Sequence, residues 1–94
     1  MPRFSRGIRP EATRDFRRIV EACPEGEARL ELTRIAHRLM EEVADNPHEK
    51  GEARPTTWNP WIRMLKEGSL RMFYWVRQPP LEDRYVEVIG FSLE

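Results

Sequence analysis
One stretch of the chain alternates cations with aromatic rings. Arg71, Phe73, Trp75 and Arg77 occupy every second position of residues 70–77. In an extended strand successive side chains point to opposite faces, so these four share one face. The other face collects Leu70, Met72, Tyr74 and Val76, a natural core set. A surface of guanidinium groups and rings suits unpaired nucleic acid, because cations meet phosphates and rings stack on bases. The same residues also fit a plain solvated sheet face, with Arg71 or Arg63 paired to Glu87 on a neighbouring strand. The aromatics, together with Trp58 and Trp61, equally fit packing in a small core.

Other side chains with reactive chemistry are sparse. Cys23 is the single cysteine, which excludes an intramolecular disulfide and fits a reducing compartment. Cys23, His37 and His48 match no ligand spacing, so neither a metal nor a cofactor is expected. His37 lies beside an apolar helical stripe and reads as structural. His48 reads as a solvated loop residue. Gly51 and Gly68 are turn formers outside any glycine-rich phosphate loop.

These residues must be positioned by a small scaffold. The chain has 94 residues, which fits one domain over 1–94 and excludes dinucleotide-binding, barrel and kinase folds. Three Trp, four Phe and two Tyr argue against a disordered chain. Net charge is zero, with 16 bases against 16 acids, so this is no uniformly basic nucleic-acid binder. The layout is uneven: residues 1–20 hold six Arg against two acids, and residues 54–77 hold five bases against one acid. No apolar run approaches the roughly 18 residues of a membrane span, and no signal peptide is read. The expected compartment is the cytoplasm, away from membranes.

Periodicity supplies the elements. Residues 3–8 read as a short strand. Pro10 and Glu11 open a helix over about 10–23, with Ala12, Phe16, Ile19, Val20 and Cys23 on its apolar stripe. Pro24 breaks it. A second helix starts near Glu25, buries Leu32, Ile35, Ala36, Leu39, Met40 and Val43, and stops at Asn46-Pro47. Residues 47–60 read as one long loop. Strands follow at 61–65, 70–77 and 85–91, joined by turns at 66–69 and 78–83. The order β-α-α-β-β-β predicts an α+β domain, a helical hairpin on one face of a small antiparallel sheet.

This order, with three local features, resembles the RelE/ParE toxin superfamily of the plasmid-stabilisation type. The features are Asp45-Asn46-Pro47 with Gly51 behind it, the run Arg63-Met-Leu-Lys-Glu-Gly-Ser-Leu-Arg-Met-Phe-Tyr-Trp-Val76, and a last strand from Tyr85 to Phe91. Residues 46–54 are also similar to small RelE-like proteins of planctomycete-type bacteria. The resemblance implies the toxin component of a type II toxin–antitoxin system, an mRNA endoribonuclease acting at the ribosome. It implies an antitoxin protein as partner, with the ribosome and mRNA or gyrase as target. A non-catalytic or repurposed RelE-like protein-binding module is the alternative. By position Arg71 would stabilise phosphate charge, and Arg63 would lie near the family's base. Arg54 and Lys66 are further RNA-binding candidates beside Phe73, Trp75 and Arg77. Residues 91–94 lack the basic side chains that the resemblance places after the last strand, so catalysis stays open. The aromatic strand could also support a homodimer.

Overall fold
The computed structural model describes residues 4–57, 59–76 and 85–94. The elements are β1 (Ser5–Ile8), α1 (Pro10–Ala22), α2 (Glu27–Ala44), β2 (Glu52–Ala53), β3 (Arg63–Glu67), β4 (Leu70–Val76) and β5 (Tyr85–Leu93). Pro10 occupies the first turn of α1, where its missing N–H costs nothing and its fixed φ is already helical. The helix stops at Cys23, held extended ahead of Pro24. Gly26, at φ 112°, lets the chain reverse into α2. At the far end Asn46 takes the left-handed conformation at φ 54°, and the following Pro47 is buried. The Phe4 amide donates to the Ala44 carbonyl at 2.9 Å, which caps the end of α2 and seats β1 beside it.

Both helices lie on one face of a five-stranded sheet of order β1-β5-β4-β3-β2. Alternation along β4 decides which side faces them. Leu70, Met72, Tyr74 and Val76 are buried, while Arg71, Phe73 and Trp75 are half-buried. Leu39 and Val43 of α2 and Ala12 of α1 close the core, and Phe16 packs on Phe91 with ring centroids 5.3 Å apart. The helix pair, the α+β class and the aromatic strand agree with the expectation from sequence.

Some element ends shift by about two residues, with α2 starting at Glu27, β3 starting at Arg63 and β5 running on to Leu93, and three larger details differ. The sheet is mixed, because β1 runs parallel to β5. Tight turns force antiparallel pairing only between sequential strands. Two helices separate β1 from its neighbour and permit a parallel return. The expected loop at 47–60 contains β2, whose Glu52 and Ala53 pair with Met64 and Arg63. The β3–β4 turn is shorter than expected, with Gly68 at φ 58° and the strand extending to Glu67. The expected turn at 78–83 and Arg77 lie outside the described residues.

Candidate nucleic-acid interface
The face of the sheet turned away from the helices carries the candidate side chains. From β4 come Arg71, Phe73 and Trp75, and from β3 their register partners Lys66 and Met64. The chain just past the edge strand β1 adds a group that sequence reasoning did not single out, Arg9. Parallel pairing sets Gly7 against Glu87, and Arg9, two residues on, reaches the same carboxylate. Glu87 Oε1 accepts from Arg9 Nε at 2.8 Å and from the Trp75 indole Nε1 at 2.7 Å. The expected Glu87 pairing with Arg71 or Arg63 does not form, since the register sets Glu87 opposite Trp75 and Arg71 opposite Ser92, and Arg63 projects to the other side of the sheet. Nothing local in the sequence announced the Arg9 contact, because Arg9 and Glu87 meet only through the parallel strand pair.

The other cations are also held. Arg71 Nη2 donates to the Leu93 carbonyl at 2.7 Å, and its buried Nε has no partner. Lys66 forms an ion pair with the Glu94 carboxylate. That ammonium, with Arg71 adding a smaller contribution, holds the Glu94 carboxyl below its usual range. Arg54 pairs with Glu52, and its amide donates to the Ile62 carbonyl at 2.8 Å.

Arg63 does not join this face. Its register partner is Tyr74, a core residue, so it projects to the helix side of the sheet. There Nε donates to the Lys50 carbonyl at 3.0 Å and Nη2 to the Gly51 carbonyl at 3.1 Å. Tyr74 works on the same loop, with its hydroxyl 2.9 Å from the Pro47 carbonyl and 2.7 Å from that of Lys50. Burial pushes the Tyr74 phenol up, and the Arg63 guanidinium offsets part of that. Tyr74 therefore stays protonated near neutral pH and faces the core. The pair forms a clamp that fixes residues 47–51 to the sheet. His48 stands at this loop's outer side, edge-on to Phe4 with centroids 5.9 Å apart.

Beyond the clamp, residues 53–56 rise along one side of the open face and create a cleft of about 660 Å³. It is lined by Phe73 and Gly90 of the sheet, by Arg54, Pro55 and Ile62, and by Arg9 with Glu11. A bulge in β5 helps to line it. Phe73 pairs with Gly90 but Tyr74 with Val88, so Ile89 is the extra residue and borders the cleft. Of the expected RNA-binding residues, the structure brings Arg54 and Phe73 into this cleft. Lys66, Arg71 and Trp75 lie on the same face beside it. Among the described residues no cluster of side chains could hold a metal ion, and no helix is long and apolar enough to cross a membrane.

Two helices on one face of a five-stranded mixed sheet, in this order, make a RelE-like fold. The likeness is to a chain in the crystal structure of the toxin–antitoxin complex RelBE2 from Mycobacterium tuberculosis. It has a TM-score of 0.73 and 14% sequence identity, and covers 100% of this chain and 94% of that one. No family model matches the sequence, and no curated protein does.

Proposed function
We propose that this chain is the toxin component of a type II toxin–antitoxin system, acting in the cytoplasm on mRNA at the ribosome, with an antitoxin protein as its partner. The observation that carries this reading is the likeness of fold, end to end, to a chain of a toxin–antitoxin complex. The open sheet face supplies the chemistry. Phe73 and the Glu87-anchored Trp75 offer ring faces to unpaired bases. Arg71, Lys66 and Arg54 offer cations to the phosphates, and Arg77 continues the alternation in sequence. Arg63 serves by clamping the loop that carries Arg54.

Cleavage of RNA by its own 2′-hydroxyl needs three things. A base must take the hydroxyl proton, cations must stabilise the phosphorane, and an acid must protonate the departing 5′-oxygen. Arg71 is suited to the second task. A non-catalytic toxin-fold module that blocks its target is favoured by the state of the other groups. Tyr74 is turned into the core, and Glu87 and Glu52 on the open face are each committed to an arginine.

Mapping mRNA ends after induced expression in a bacterial host separates the two readings. New ends inside coding sequences, lost with Arg71→Ala, support cleavage. Arrested growth without new ends supports blockade. Unaltered growth with unaltered ends contradicts the toxin reading.

A further inference from the structure
We propose that Glu94 is a built-in latch on the open face, an internal carboxylate that keeps Lys66 and Arg71 from phosphate until it lifts. This latch rests on the RNA reading of that face and regulates the same site. Beyond the bulge, Gly90 pairs with Phe73 and Ser92 with Arg71, so Ser92 and Glu94 fall on the open face. The strand order is β5-β4-β3, and Lys66 of β3 is the register partner of Arg71. To pair with Lys66, the Glu94 side chain must cross β4 beside Arg71.

Three contacts hold the latch down. The Glu94 amide donates to the Ser69 carbonyl at 2.8 Å. Arg71 Nη2 donates to the Leu93 carbonyl at 2.7 Å. The Glu94 carboxylate pairs with the Lys66 ammonium. Held ionised by Lys66, and in smaller part by Arg71, this carboxylate offers the two cations the kind of anionic oxygens that a phosphate carries. The hold is weak enough to release. The two side chains are 39% and 57% exposed, and an ion pair so open to water contributes little. Arg71 Nε and Ser92 Oγ, on register partners of the same face, are buried with no hydrogen-bond partner. A closed state that carries two such orphans is disfavoured against one that lets water reach them. A phosphate strand that displaces Glu94 meets both cations at once.

The test measures binding of the full chain to a labelled, short single-stranded oligoribonucleotide by fluorescence anisotropy, over a series of salt concentrations. Glu94→Gln keeps the shape and the backbone contacts and removes the charge. It should tighten binding about three- to ten-fold at low salt and steepen the salt slope by about one, since Lys66 becomes free to meet a phosphate. Glu42→Gln, at an exposed position of α2, makes the same change in net charge and should alter binding less than about two-fold. In a Lys66→Ala background, Glu94→Gln should lose most of its effect. If Glu94→Gln leaves RNA binding unchanged, or tightens it no more than Glu42→Gln does, the latch is overturned and the RNA reading stands. A gain that persists in full without Lys66 overturns the latch as well. If neither wild type nor Glu94→Gln binds RNA, both fall.

Discussion

Arg63 and Arg71 carry the same charge on adjacent strands, yet the pleat sends them to opposite sides of the sheet. One becomes a fastener and the other part of a surface. The partners of each decide which. Arg63 spends two N–H groups on loop carbonyls beside a buried phenol, whereas Arg71 donates to a single carbonyl at the sheet's outer end. Tyr74→Phe removes the phenol's hydrogen bond and leaves the Pro47 and Lys50 carbonyls without it. It should cost about 1–2 kcal/mol in urea denaturation. It should also alter the alkaline limb. Burial raises the phenol pKa, so the folded state holds this proton more tightly than the unfolded state does. That contribution is present below pH ~10 and is lost as pH climbs through the folded value. Denaturation midpoints measured from neutral pH upward should therefore fall more steeply for wild type than for Tyr74→Phe, and identical slopes would contradict the assignment. Glu87→Ala should release both Arg9 and the Trp75 indole, at a cost of about 1–3 kcal/mol, with a red shift of tryptophan emission.

At the scale of elements, the loop after α2 matters most, because it carries one wall of the cleft. Asn46 and Gly51 turn it with positive φ, at 54° and 65°. Gly51 has a second constraint, since a Cβ there would collide with the Met64 carbonyl. Gly68, at φ 58°, has open surroundings, with Ile35 Cδ1 the nearest atom at 3.7 Å. Gly68→Ala should thus cost only the conformational penalty, about 1 kcal/mol. Gly51→Ala must also displace β2 from β3, and should cost more in the same urea series. Equal costs would show that the loop gives way freely. The two helices were legible from sequence because proline and asparagine mark their ends and the apolar stripe has helical period. The two faces of β4 were legible from strict alternation. The sequence reading set Arg63 beside Arg71 as a site residue; the signal it passed over is the even-length turn between β3 and β4, which pairs an odd-numbered residue with an even-numbered one, and the even set is the core. The strand pairs β1–β5 and β2–β3 were not legible. The first depends on contact across most of the chain, and the second involves two residues with no strand pattern of their own. Arg9 and Ile89 were missed for this reason, as the former needs the parallel pair and the latter the bulge.

At the scale of the molecule, the helices and sheet divide the labour. One face of the sheet is closed by the core, and the other presents rings and paired cations on a chain of zero net charge. The proposed toxin role makes a claim that can be tested at this scale, that the chain arrests growth through this face. The direct measurement is growth of a bacterial host on induced expression of wild type, Arg71→Ala, Phe73→Ala and Arg63→Lys, with soluble yield checked for each. Arrest by wild type that Arg71→Ala and Phe73→Ala relieve, while Arg63→Lys retains it, is the predicted result. Unimpeded growth with soluble, folded wild-type protein, or arrest that survives the loss of both Arg71 and Phe73, would contradict it.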